Sequence, residues 1–333
     1  MKPRVSIITP FLNAEAHLAE AIASVRAQTC PDWELLLVDD GSHDGSSAIA
    51  DRAAQKDSRI RSLRRGTDRP AGAAAARNLG LKAARGEFIT FLDADDRFTA
   101  DKLETQLELM ARHPGAMMIY GPTLWWHPED ARLNWTENMR SLAGRLHAPP
   151  RLLDKVVLTL RGPVPCICAV LIRRGAFDLV GGFEERFRLY EDQTLWVKIM
   201  ARYPIYVSDH VTAMYRQHGG STSAASEREG DYDRLGPHPA RQAFLDWAGE
   251  YLLALERDNP STKRALRLAR AMLSGDRSKL TIAEKAVLWG HWAEDRARAA
   301  RRKLNRLATI IRISQVDRKN PRSAHASRQN GDG

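Results

Sequence analysis

With 333 residues, 43% of them hydrophobic, the chain is long enough for one large core or a core with a smaller appendage, and disorder of the whole is excluded. No run of eighteen apolar residues occurs, so no transmembrane helix is expected, and Met1-Lys-Pro-Arg4 leads straight into a strand-like stretch with no room for a signal peptide. The net charge of +10 is concentrated: residues 296–328 hold eleven Lys/Arg against one acid, Asp317, which accounts for the whole excess.

The first third alternates strands with helices. Val5-Ser-Ile-Ile-Thr9 reads as a strand, after which Asn13 caps a helix to about residue 28 with Leu18, Ile22 and Val25 on one face. Trp33-Glu-Leu-Leu-Leu-Val38 is a second buried strand that ends at Asp39-Asp-Gly-Ser-His-Asp-Gly45. A helix towards Lys56 and a weaker strand near residues 59–64 follow. An alanine-rich helix over 72–84 carries Arg77 and Asn78 and feeds Phe88-Ile-Thr-Phe-Leu92, a strand with Asp93, Asp95 and Asp96 at its end. Such alternation predicts a mostly parallel sheet with right-handed crossovers, and ligands of such sheets bind beyond the strand ends. Crowded carboxylates repel unless a cation sits among them, and oxygen ligands suit Mg²⁺ or Mn²⁺. Taken alone, the same stretch is an acidic turn with Asp96 capping the next helix.

A helix over 101–113 stops at Pro114-Gly115, and a strand covers 117–120. Residues 121–165, rich in Pro and Gly and containing Trp125, Trp126 and Trp135, read as loops around a binding surface. A strand over 168–172 puts Cys166 and Cys168 on one face; with Cys30 they are expected to be reduced and structural. Glu191-Asp192 opens a helix whose Leu195, Trp196, Ile199, Met200 and Tyr203 form an apolar face, and a strand over 205–215 leads to Arg216-Gln-His218. Beyond Gly236-Pro237 only helices are expected. One carries Phe244, Trp247 and Tyr251, another runs from Pro260 to Gly275, and the last covers 281–313 with an apolar stripe among arginines. That last helix suits packing on the chain itself, on a partner helix, or on an anionic membrane surface.

Asp39-Asp40, Arg77, Asp93/Asp95, Glu191-Asp192 and His218 all fall at strand ends or helix starts that a parallel sheet brings to one edge. Each alone reads as a turn, a cap or a solvated residue. Together and in this order the text Val5-Ser-Ile-Ile-Thr-Pro-Phe-Leu-Asn13, Leu37-Val-Asp-Asp-Gly-Ser42, Ala76-Arg-Asn-Leu-Gly80, Phe91-Leu-Asp-Ala-Asp-Asp96, Gly181-Gly-Phe183, Glu191-Asp-Gln-Thr-Leu-Trp196 and Tyr215-Arg-Gln-His218 resembles the inverting glycosyltransferases of family 2. The resemblance covers about residues 4–222.

It implies an α/β, GT-A fold: a Rossmann-like, mostly parallel sheet flanked by helices over 1–222, with a C-terminal helical appendage over 237–315 and a disordered tail over 316–333. By the same resemblance Asp40, with Asp39, holds the base and ribose of a nucleotide-diphosphate sugar, and Thr9, Pro10, Asn13 and Arg77 line the nucleotide pocket. Asp93-Ala-Asp95 matches the DxD motif, with Asp95 a ligand of Mn²⁺ or Mg²⁺ and Asp93 on ribose, metal or metal-bound water; His218 approaches the metal or diphosphate. Asp192 is the expected base, an ordinary carboxylate near pKa ~3.9. Glu191 orients the site, or exchanges roles with it. A UDP-sugar is the expected donor, although Leu12 stands where many relatives carry tyrosine. The acceptor is a saccharide, glycolipid or other hydroxyl compound of cell-surface polysaccharide synthesis. A cytoplasmic location is expected, with peripheral membrane or protein contact through 281–313. Nucleic acid is not expected, because no aromatic follows Trp292 in the basic tail. Two rival readings are a sugar-1-phosphate nucleotidyltransferase, which needs a Gly/Arg-rich loop where Pro10-Phe-Leu-Asn13 stands, and a non-catalytic binding or scaffold protein acting through its basic C-terminal helix.

Overall fold

The computed structural model describes residues 2–66, 69–139, 141–230, 238–255, 259–276, 278, 280–282, 284 and 285. The expected helix over 281–313, beyond its first residues, and the tail over 316–333 lie outside the described residues. The chain divides into two units, Met1–Asp276 and Arg277–Gly333. In the second unit, Thr281 and Glu284 exchange capping bonds: Thr281 N donates to Glu284 Oε2 at 2.9 Å and Glu284 N to Thr281 Oγ1 at 3.2 Å.

The first unit begins with β1 (Val5–Phe11), α1 (Leu18–Arg26), β2 (Trp33–Asp39), α2 (Ser46–Lys56), β3 (Ile60–Arg64), α3 (Ala73–Ala83) and β4 (Phe88–Phe91). It continues through β5 (Arg97–Phe98), α4 (Lys102–Arg112), β6 (Met118–Tyr120), β7 (Thr123–Trp126), β8 (Trp135–Thr136), β9 (Arg145–His147) and β10 (Val170–Arg173). Then come α5 (Ala176–Val180), α6 (Glu191–Met200), β11 (Ile205–Val207), β12 (Ala213–Arg216), α7 (Thr222–Glu229), α8 (Pro239–Ala254) and α9 (Pro260–Ser274). The main sheet has the order β3-β2-β1-β4-β10-β6-β11-β9. β3, β2, β1 and β4 are parallel, as are β6 and β11, while β10 and β9 run antiparallel to their neighbours.

Every residue of β1 and β2 is buried, because helices cover both sheet faces. The period-2 alternation splits them cleanly. Ile7, Leu35 and Leu37 join the core under α1, α2 and α4, whereas Ile8, Leu36 and Val38 join the core under α3 and α6. Phe244, Leu245, Trp247 and Ala248 of α8, with Ala265, Leu266 and Ala269 of α9, belong to that second core.

Four expectations are corrected. Asn13 does not cap α1: it sits at φ 50 and its Oδ1 accepts from His43 N at 2.9 Å, while the helix starts at Leu18. Residues 121–165 are not all loop, since β7 and β8 join β5 and β12 in a second sheet of order β5-β12-β7-β8, and Trp125 stacks on Trp135 at 4.7 Å. Cross-strand pairing satisfies a backbone that proline and glycine content alone reads as irregular. Cys166 and Cys168 precede β10, around a short 3₁₀ turn over Ile167–Ala169, and are free thiols with sulphurs 3.2 Å apart. Asp96 is no helix cap; its Oδ1 accepts from Arg216 N at 2.9 Å. Among the described residues, no helix is long and apolar enough to cross a membrane.

Candidate active site

The parallel register sets β1 between β2 and β4, so Phe11 lies beside Asp39 and Ile8 beside Phe91. The loops after these strands therefore share one sheet edge. The second sheet completes it: β12 pairs antiparallel with β5, which directly follows the acidic cluster, and this carries Arg216 and His218 back to Asp95 and Asp96.

At the β2 end the two aspartates face different partners. Asp39 Oδ1 accepts from Gly41 N at 3.1 Å and Ser42 N at 2.8 Å, and its Oδ2 accepts from the Ser47 hydroxyl. Burial alone pushes its pKa up, but these three donors outweigh it and hold the carboxyl below its ordinary range. Asp40 Oδ1 accepts from Arg65 at 2.5 Å and Ala71 N at 3.2 Å, and Oδ2 from Gly72 N at 2.7 Å. Both carboxylates thus shape the loops at the strand edge. Asn13 N donates to Ser42 Oγ at 3.0 Å, which joins the β1 end to the same turn. Thr9 and Pro10 lie within β1, and the buried Thr9 hydroxyl finds no partner among the described residues.

Arg77 is the hub. Only 2% exposed on α3, it donates through Nη2 to Asp93 Oδ1 at 2.6 Å and through Nη1 to Glu191 Oε1 at 3.0 Å. Burial opposes its charge, yet the two carboxylates prevail and hold it above the ordinary arginine range. Glu191 and Asp192 open α6, where the helix N-terminus favours negative charge. Asp192 Oδ1 accepts from Gln193 N at 2.7 Å. Its pKa is pushed up to about 7, by burial first and then by the neighbouring Glu191 charge. The pKa of ~3.9 expected from the sequence is raised by burial and by the Glu191 charge beside it.

Asp95 and His218 meet at 2.9 Å, Oδ2 to Nε2, both about a quarter exposed. An oxygen and an imidazole nitrogen side by side at an open edge fit a divalent cation that takes its remaining ligands from phosphate and water. Asp93 has turned one oxygen to Arg77. Among the described residues a denser donor cluster occurs behind this edge, where ligand atoms of Asp96, Cys166 and Cys168 lie within 4.8 Å. It suits hydrogen bonding better than a cation. Burial raises the Asp96 carboxyl well above its ordinary range, and the sulphurs at 3.2 Å are closer than the ~3.8 Å that tetrahedral ligation at 2.3 Å per bond requires.

Four residues to which the sequence assigned no role support this edge. His17 packs edge-on to His218 with ring centroids 5.1 Å apart, and its pKa is lowered by burial and then by Arg216 and His218. Arg216 donates through Nε to Asp95 O at 2.7 Å and pairs with Glu20. Asn78 clamps the Gly181-Gly-Phe183 loop, accepting from Phe183 N at 2.8 Å and donating to Phe183 O at 3.0 Å. Arg216 and Asn78 stand inside quoted motifs; His17 and Glu20 carry only helical spacing.

The model of glycosyl transferase family 2 matches residues 6–181. The TuaG protein of Bacillus subtilis (strain 168), assigned as a teichuronic acid biosynthesis glycosyltransferase, is 31% identical over 227 residues, 67% of this chain and 82% of TuaG. The UDP-Glc:alpha-D-GlcNAc-diphosphoundecaprenol beta-1,3-glucosyltransferase WfgD of Escherichia coli is 36% identical over 197 residues, 59% of this chain and 69% of WfgD. Among solved structures, S. aureus TarS 1-349 in complex with UDP-GlcNAc superposes with a TM-score of 0.59 at 19% identity, over 85% of this chain and 77% of that one. The mannosyltransferase PcManGT from Pyrobaculum calidifontis in complex with GDP-Man and Mn²⁺ gives 0.51 at 20% identity, over 88% and 80%. The shared architecture is the GT-A fold.

Proposed function

The chain belongs to glycosyl transferase family 2, and on that premise we propose that it moves a sugar from a nucleotide-diphosphate sugar to a hydroxyl acceptor by inverting single displacement. A UDP-sugar is the donor we favour, and the acceptor is a saccharide or glycolipid of cell-surface polysaccharide synthesis. The names of WfgD and TuaG, and the UDP-GlcNAc bound to TarS, support donor and acceptor class. The observation that carries the site assignment is Arg77, whose guanidinium ties Asp93 of the strand-end cluster to Glu191 beside the base.

Asp192 takes the proton of the acceptor hydroxyl while that oxygen attacks the anomeric carbon from the face opposite the leaving group. The bond from the anomeric carbon to the diphosphate oxygen breaks, and its electron pair leaves with the nucleoside diphosphate. A carboxylate with a pKa near 7 is a stronger base than an ordinary aspartate and is still about half ionised at neutral pH. Glu191, fixed on Arg77, holds the start of α6 in place. Thr9, Pro10, Asn13, Asp39 and Asp40 form the nucleotide side of the edge, their loops ordered by Ser42, Arg65 and Gly72. Asp95 and His218, with Asp93, are the residues to hold Mn²⁺ or Mg²⁺, which when bound supplies Lewis-acid neutralisation of the departing diphosphate. Residues 1–222 carry this chemistry in our reading. The helical region from 237 supports it, and the basic segment 281–313 offers contact to an anionic membrane or a protein partner.

A thermal-shift screen of nucleotide sugars with and without Mn²⁺ tests the donor and the metal together. One nucleotide sugar should raise the melting temperature only when the cation is present. Stabilisation of equal size without cation removes the metal from the proposal, and no response to any nucleotide sugar removes the donor.

A further inference from the structure

Tyr190, the residue before Glu191-Asp192, sits at φ 67 and ψ 11, the left-handed region. Among non-glycine residues only Asn13 and Leu160 also have positive φ in the described chain. A bulky side chain persists there only when its surroundings hold it, and such positions cluster at functional sites.

What holds it is α8. The Tyr190 hydroxyl lies 2.9 Å from His238 Nε2, and the ring stacks on His238 at 5.7 Å and on Phe244 at 5.3 Å. His238 also caps α8, its Nδ1 accepting from Arg241 N at 3.4 Å. With Nδ1 accepting, the ring proton sits on Nε2, so His238 donates to the Tyr190 oxygen. Arg241, 6% exposed, places its guanidinium 5.4 Å from the centre of the Tyr190 ring. The same guanidinium donates to Val157 O at 2.8 Å, Leu158 O at 2.9 Å and Gln193 Oε1 at 3.3 Å. Tyr190 and Gln193, the two residues that bracket Glu191-Asp192, are therefore both gripped from α8. Tyr190 O accepts the first turn's bond from Thr194 N at 3.0 Å, so the angle at which α6 starts depends on this grip.

We propose that Tyr190, His238 and Arg241 form a clamp by which α8 positions the Glu191-Asp192 pair against the acceptor hydroxyl. They are positioning residues acting through Asp192; the inference rests on Asp192 being the base. Donor-binding residues on α3 and the β1, β2 and β4 loops are outside the clamp, so its loss lowers kcat and leaves the donor KM in place.

The test uses the full chain. Tyr190→Phe keeps ring, stacking and backbone but loses the hydroxyl; His238→Asn keeps a good helix cap but loses the ring, and with it both the nitrogen that bonds Tyr190 and the stack on its ring. Tyr190→Phe should lower kcat by roughly fivefold, the worth of one neutral hydrogen bond, and His238→Asn by at least as much, with donor KM unchanged within about twofold in both. Because both remove the Tyr190–His238 bond and only His238→Asn also removes the stack, the double variant should be no slower than His238→Asn alone. Tyr190→Asn, which tolerates left-handed backbone but has no ring, should lose more. Wild-type kcat in both single variants, losses that multiply in the double, or a rise in donor KM matching the loss in kcat each overturn the clamp. Asp192→Asn assayed alongside separates the premise: full turnover there rejects the base assignment, whatever the clamp variants do.

Discussion

Arg77 and Glu191, 114 positions apart in sequence, meet at 3.0 Å, and the same guanidinium reaches Asp93 at 2.6 Å. One buried cation therefore couples the strand end proposed to face the diphosphate to the helix start proposed to deprotonate the acceptor. Lysine has one compact ammonium and cannot span both carboxylates. Arg77→Lys should lower kcat and raise donor KM together, by about tenfold or more in kcat/KM, read from steady-state transfer.

Removing the charge outright also has a stability consequence. Arg77→Met leaves Asp93 and Glu191 without their shared cation. Both carboxylates are partly exposed, at 28% and 18%, so solvent softens the cost to about 1–3 kcal/mol, measurable as a lower urea midpoint.

Asp192 makes activity and stability run in opposite directions with pH. Its folded pKa of about 7 lies above the unfolded ~3.9, so between those values the folded chain holds a proton that the unfolded chain lacks. Its contribution to stability is present below pH ~4, falls as pH rises through about 7, and stays lost above. Asp192→Asn should therefore melt higher than wild type at pH 8, with the gain shrinking towards pH 4. In the wild type, kcat should climb with pH and level off above a midpoint near 7, as deprotonation readies the base.

At the cation edge, Asp95→Ala and His218→Ala each remove one of two donors that lie 2.9 Å apart. Chelation should abolish wild-type transfer, and both variants should need at least about tenfold more Mn²⁺ for half-maximal rate. Titration of rate against Mn²⁺ reads this directly, and an unchanged Mn²⁺ requirement in both variants contradicts the assignment.

Much of the fold was legible because β1, β2 and β4 bury both faces and so read as continuous apolar runs between helices of regular period. The second sheet was not, since β5 and β8 are two-residue strands set by pairing with partners far away in sequence. At the site, motif text named the carboxylates but not what they touch. That Asp39 would be absorbed by its own turn, that Arg65 would take Asp40, and that Asp192 would lose its ordinary pKa depend on three-dimensional neighbours. Tyr190 offered no signal, because left-handed backbone at tyrosine has no sequence signature.

Glycine at 86 is set by close approach. A Cβ there would lie 2.6 Å from Ser6 N, a backbone atom of β1 that has no room to move. Gly86→Ala should cost about 1–3 kcal/mol by overpacking and lower the melting temperature while leaving the donor KM of the folded fraction unchanged.

The most direct test of the account is the Asp192→Asn protein, assayed for single-turnover transfer and, in the same buffer with Mn²⁺, for nucleotide-sugar binding by calorimetry. Transfer reduced by about a thousandfold or more with binding within about threefold of wild type is the expected result. Transfer at the wild-type rate, or loss of binding equal to the loss of transfer, would contradict the assignment of Asp192 as the base.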